Sequence, residues 1–338
     1  MYFCTARCAR PHGCRRCTGC IRGSEIPGFR TWHGECWKGL IVNEFVANIV
    51  HDVAAEHAEG PVWDMRMQSL MWVDQFVGLV HQATFDPSVF RLTITRTYDV
   101  GAPVGAVVPR DGKGGGWILA SGTGFRSLEE NGTVETIADV FSNSSLMRMN
   151  DGKCDPNGTF WAGSMAWAKT PGAGSLYQLS SRGVTTRLTD LSISNGLAWP
   201  ATGDSVYFID TPTRQVRSYR IDDTDTLVYE RTVASIPEEH GFPDGMTIDD
   251  EGCIWVALWG GSAVHRYAPT GELIARVNVD AVQVSSCTFG GPDRATLFIT
   301  TSREGYGPLE VKADPNSGKI FAAHVGVAGP EAAHYASR

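Results

Sequence analysis

The chain has 338 residues, 42% of them hydrophobic and 20% charged, with 38 glycines; that balance argues against long disordered tracts and for many turns between short strands. A formal net charge of −8, with no basic run in the body of the chain, excludes duplex nucleic acid as a partner, because such binding rests on neutralising phosphates. No uncharged apolar stretch approaches the ~18 residues that a membrane helix needs, so no membrane partner is expected.

Residues 1–40 differ from the rest. They hold six of the nine cysteines (Cys4, Cys8, Cys14, Cys17, Cys20 and Cys36) and seven basic residues against two acids, Glu25 and Glu35. The C-x2-C-x2-C spacing at Cys14, Cys17 and Cys20 raises a zinc or iron–sulfur reading, with His12 or His33 as a further ligand. Against it, a zinc module pairs two separated ligand pairs around a small core, and the segment has almost no aliphatic residue before Leu40. No apolar core of the kind a secretory signal needs follows the basic residues, so a cytoplasmic location is expected. The expectation is a disordered extension, or a start codon placed too far upstream, ahead of one domain over residues 41–338.

Within that domain, residues 45–52 and 319–325 read as strands from the two ends of the chain, able to share one sheet and close a ring. Between them one pattern recurs: turn, short apolar strand, then polar residue or glycine. The copies are SLMWVD from Ser69, GWILA from Gly116, DPNGTFWAG from Asp155, DSVYFID from Asp204, DDEGCIWVA from Asp249 and ATLFIT from Ala295. Anchored at Trp72, Ile118, Trp161, Phe208, Trp255 and Phe298, they stand 43 to 47 residues apart. A period in the forties with several strands per unit is the signature of a β-propeller, and six copies predict six blades. Helices are excluded because the apolar runs last only 4–7 residues between Gly, Asp, Asn and Pro.

Counting back from the anchors finds the strand nearest the axis. Glu59 precedes Trp72 by 13 residues, Asn150 precedes Trp161 by 11, Asn195 precedes Phe208 by 13 and Asp244 precedes Trp255 by 11. Four oxygen-bearing side chains thus fall at nearly one place in four blades, and in a closed ring such places converge on one end of the channel. The corresponding places in the other two blades, near Gly105 and Cys287, are small or weakly polar. Carboxylates with amide carbonyls suit hard cations: Ca²⁺, Mg²⁺ or Mn²⁺, with Zn²⁺ also admissible. Asn195-Gly196 and Asp244-Gly245 also read simply as turn formers; Glu59 does not. No Gly-x-Ser-x-Gly elbow and no His-Glu-x-x-His pair offers other hydrolytic machinery, and the histidines read as structural.

The runs EGPVWD from Glu59, RMNDGKCDPNG from Arg148, SNGLAW from Ser194, PDGM from Pro243 and SCTFGG from Ser286 resemble the senescence marker protein/gluconolactonase (regucalcin-like) family, in order over about residues 45–335. That resemblance implies an all-β six-bladed β-propeller with a central metal site holding one divalent cation. It implies Glu59, Asn195 and Asp244 as metal ligands, Asn150 approaching metal and substrate, Arg148 on the substrate and Asp244 as general base. The implied reaction is hydrolysis of a sugar or related small lactone. Alternatives are phosphotriester hydrolysis and a non-catalytic calcium-binding propeller. Where animal members continue with acids after the run GSMA from Gly163, this chain has Trp167-Ala168-Lys169, so Trp167 is expected on the substrate rim, favouring less hydroxylated or more hydrophobic lactones. A monomer is expected on fold-level analogy.

Overall fold

The computed structural model describes residues 42–112, 115–222 and 226–336. The cysteine-rich segment, with the extension and zinc readings attached to it, lies outside the described residues. The three described cysteines, Cys154, Cys253 and Cys287, are buried and unbridged. Among the described residues no helix is long and apolar enough to cross a membrane.

Six antiparallel sheets follow one another in sequence, each with its first strand innermost. The inner strands are Ala58–Asp64, Val104–Pro109, Met147–Cys154, Ser194–Ala198, Phe242–Ile248 and Val284–Gly290, in blades 1 to 6. All six anchor residues fall on the second strand of their blade and are at most 2% exposed, so each caps the packing between neighbouring sheets. The Asp-x-x-Gly turns have a specific task. Asp155 accepts the backbone N–H groups of Asn157 and Thr159 and, through its other oxygen, the indole N–H of Trp161 at 3.0 Å. Asp249 does the same for Glu251, Cys253 and Trp255. One carboxylate thereby fixes a turn and orients the large core ring six residues later.

Ring closure matches expectation and goes further. Asn48–His51 pairs antiparallel with Ile320–His324 as the outer strand of blade 6. The preceding Asn43–Val46 adds to blade 5 instead, parallel to Leu273–Asn278. Between these strands the buried Ala47 bonds to the carbonyl of Asn278 at 2.9 Å, so the incoming chain stitches two adjacent blades. A second clasp was not foreseen. The C-terminal tail reaches blades 2 and 3, where Tyr335 exchanges backbone bonds of 2.8 Å with Pro109 and Asp111.

Candidate functional site

Each of the six inner strands slips register against its neighbour at the same level: after Glu59, Val104, Met149, Ser194, Pro243 and Val284. Extra residues at such a slip leave the ladder and re-aim their side chains. Asn150, Asn195 and Asp244 occupy the slips, and Glu59 immediately precedes one. The Asn-Gly and Asp-Gly pairs are therefore not chain-reversing turns but bulges inside strands. In blade 6 the equivalent residue is Ser285, two positions before Cys287, whose thiol points to the carbonyl of Trp255. Glycine is required where inner strands crowd together. A Cβ on Gly105 would stand 2.0 Å from the Asn150 carbonyl oxygen, and one on Gly245 2.1 Å from Ser286 Oγ.

The slips gather Glu59, Arg148, Asn150, Asn195 and Asp244 around one cavity of about 240 Å³, each at most 6% exposed. A larger cavity of about 330 Å³ opens at the other end of the channel, roofed by residues 330–333. Its walls are mostly apolar, and its half-buried Lys153 is spent on the carbonyl of Met246 at 2.6 Å. The convergent oxygen donors belong to the smaller cavity.

There, Asn150 donates to Asn195 Oδ1 and to the Ser194 carbonyl, both at 2.8 Å, while its own oxygen accepts from Arg148. Asn195 in turn donates to Thr211 Oγ1 at 2.8 Å, and that hydroxyl donates to the carbonyl of Pro243, next to Asp244. Two aspartates absent from the sequence reading hold the approaches to these strands. Asp74 accepts the N–H groups of Glu56 and His57 at 3.0 Å, and Asp210 those of Ser192 and Ile193. Both stand two residues after an anchor, in the runs WVD and FID, and that repetition was the available signal.

Burial raises the pKa of Glu59, helped by the nearby Asp151, and burial together with Glu59 raises that of Asp244. Neither carboxylate forms an ion pair among the described residues, and Asp244 accepts no hydrogen bond there. Two buried carboxylates in one cavity, offset by Arg148 nearby but bonded to no cation, are costly. That donor set, two carboxylates with two amides, fits a hard divalent cation that would neutralise it. Among the described residues no three of His, Cys, Asp and Glu form a cation-binding group, so any such site depends on the amides.

Arg148 packs against a pair of rings, its guanidinium 5.3 Å from the centroids of both Phe76 and Trp167, which themselves stand 5.8 Å apart, and burial lowers its pKa to about 10. Trp167 is not on the cavity wall. It is 38% exposed, bonds to the Ser144 carbonyl at 2.9 Å and backs Arg148; the same loop places Lys169 on the wall instead. His57 also lines the cavity, stacked on Phe76 at 4.6 Å, with its pKa held well below the usual value by burial and by Arg148.

Known proteins share this architecture. Regucalcin from Xenopus laevis is 35% identical over 272 residues, covering 78% of this chain and 89% of that protein. A Bacillus subtilis protein named "Putative sugar lactone lactonase YvrE" is 34% identical over 281 residues, covering 82% and 94%. The crystal structure of a calcium-binding protein, regucalcin, from Agrobacterium tumefaciens superposes with a TM-score of 0.79 at 27% identity, covering 87% of this chain and 98% of that one. The profile of the SMP-30/Gluconolactonase/LRE-like region matches residues 57–303, and the chain belongs to that family.

Proposed function

We propose that the protein is a metal-dependent lactonase that opens a sugar or related small lactone. The observation that carries this reading is the pair of buried, unpaired carboxylates, Glu59 and Asp244, set among two amides at the floor of a small-molecule-sized cavity. The name of the Bacillus subtilis relative points the same way. Glu59, Asn195 and Asp244 would hold the cation, with Asn150 beside it. A divalent cation bound there supplies Lewis-acid polarisation of the lactone carbonyl and lowers the pKa of water.

The remaining work falls to the chain. Asp244, with no hydrogen-bond donor on its carboxylate, has an oxygen available to take the proton from an attacking water. Arg148, packed against Phe76 and Trp167, donates to oxygens of the substrate and to charge developing on the ring-opened product. The Asn150–Asn195–Thr211 chain of bonds keeps the amide oxygens from rotating away. No nucleophilic side chain is required, and product leaves as the hydroxy acid.

A panel of aldonolactones assayed with and without chelator tests the reading. Hydrolysis abolished by chelation and restored by one of Ca²⁺, Mg²⁺, Mn²⁺ or Zn²⁺ supports it. Full hydrolysis in the chelated protein contradicts the metal role, and no hydrolysis of any lactone under any metal contradicts the lactonase role.

A further inference from the structure

Lys169 and Glu304 belong to blades on opposite sides of the ring. Lys169 follows the second strand of blade 3 (Phe160–Ala166), and Glu304 follows that of blade 6 (Thr296–Thr301). Both line the cavity of Asp244 and Arg148, and their side chains meet at 3.1 Å. An ion pair between opposite blades must pass across the mouth of the channel. It is therefore a strap over the entrance, and any ligand reaching the floor passes beside it.

The strap is held loosely. The Lys169 side chain is 51% exposed and that of Glu304 25%, and half-solvated pairs of this kind contribute little. Glu304 is also the nearest acid in its effect on Arg148, standing first among the charges that stabilise that guanidinium. The Glu304 carboxylate thus touches Lys169 directly and acts on Arg148 across the cavity that all three line. Lys169 takes up this position from a left-handed backbone, φ 53°, closed by a 2.9 Å bond from its N–H to the Ala166 carbonyl. A side-chain-bearing residue adopts that conformation at a cost, where glycine would not.

We propose that Lys169 and Arg148 form an anion subsite which Glu304 fills in the free protein, and that the preferred substrates carry a carboxylate or phosphate at the end remote from the lactone. This rests on the lactonase reading of the same cavity. An incoming anion replaces the Glu304 carboxylate on Lys169, so the exchange swaps one weak ion pair for another and leaves Glu304 free to turn to solvent. With a divalent cation on the floor, positive charge at the cavity exceeds negative, which favours an anionic guest over a neutral one. Lys169, two residues after Trp167, lines the cavity and adds a cation beside that ring.

Equilibrium titration of the Mn²⁺-saturated full chain with D-gluconate, D-glucarate and 6-phosphogluconate tests this without turnover. The three differ in the group at the far end: hydroxyl, carboxylate and phosphate. At least one dianion is expected to bind 10-fold or more tightly than gluconate, and the tighter of the two identifies the anion. Lys169→Met, which keeps length and loses charge, should bring that ratio to within about twofold, and Glu304→Gln should tighten the dianion several-fold. The change with Lys169 separates binding at the cavity from chelation of free Mn²⁺. Equal binding of gluconate and both dianions, or a ratio unchanged in Lys169→Met, overturns the proposal. Parallel assays of the aldonolactone panel and D-glucaro-1,4-lactone decide the lactonase reading separately: if none is opened under any of the four metals, that reading fails while the titration still decides the anion subsite.

Discussion

The side-chain amide of Asn150 donates to the side-chain oxygen of Asn195 at 2.8 Å, tying the inner strands of blades 3 and 4 together inside the channel. The bond fixes which atom of each amide faces where: the Asn150 oxygen turns to Arg148, and the Asn195 nitrogen to Thr211. Asn150→Ala removes the donor that orients Asn195 and the acceptor that orients Arg148. We expect Mn²⁺ affinity to fall about 10- to 100-fold, in the range seen when orienting partners are lost. Metal titration by calorimetry checks this.

Asp210 shapes the site from behind. It accepts the N–H groups of Ser192 and Ile193, leading into the strand that carries Asn195. Asp210→Ala leaves both donors unmet, at about 1–3 kcal/mol. Urea denaturation should show that loss, with a parallel loss of metal affinity. Asp210→Asn, which keeps one acceptor oxygen, should fall between the two.

Gly245→Ala is expected to be more damaging than its size suggests. The new Cβ would lie 2.1 Å from Ser286 Oγ and 2.6 Å from its Cβ, so two inner strands must move apart beside Asp244. Overpacking of this kind costs about 1–3 kcal/mol, and activity should fall as Asp244 is displaced. Adding Ser286→Gly should recover part of the stability, measured by thermal unfolding.

Trp167→Leu removes one of the two rings packed against Arg148 while leaving the cavity wall intact. A cation–π contact is worth about 0.5–2 kcal/mol, so KM should rise by a few-fold up to about 30-fold, with kcat less affected. Steady-state kinetics on one lactone reads the split.

His265 gives the fold an acid limit. Burial, then His240 and Arg276, pull its pKa from 6.5 down to about 4. The unfolded chain therefore binds a proton below pH 6.5 that the folded chain refuses until about pH 4, so stability is full above that window and declines as pH falls through it. Between pH 7.5 and 4.5 the residue should account for about 1–3 kcal/mol. His265→Gln should flatten that part of the stability–pH curve in urea denaturation.

The blade count was legible because each blade repeats one turn-strand unit, and Trp72, Trp161 and Trp255 mark it with large rings. The convergence of Glu59, Asn150, Asn195 and Asp244 was legible because bulges at one level recur at nearly constant distance from those anchors. In blade 6 the slip falls at Ser285, 13 residues before Phe298, and not at Cys287, 11 before it; both spacings occur in other blades, so counting alone could not choose between them. Pairing of Asn43–Val46 with blade 5 is parallel and non-local, and no turn residue announces it. Lys169 and Glu304 stand 135 positions apart in different loops. Only ring closure brings them together, so neither pattern nor spacing could pair them.

The account's central claim is tested most directly by measuring lactone hydrolysis during a metal titration of stripped wild type, Glu59→Gln and Asp244→Asn. Glu59→Gln loses a charged ligand, so high metal should restore much of its rate. Asp244→Asn keeps one oxygen for the metal but loses the base, and should stay about 10²- to 10⁴-fold below wild type at saturation. Return of Asp244→Asn to near wild-type kcat at saturating metal would contradict the base assignment, and full activity of stripped wild type would contradict the metal site itself.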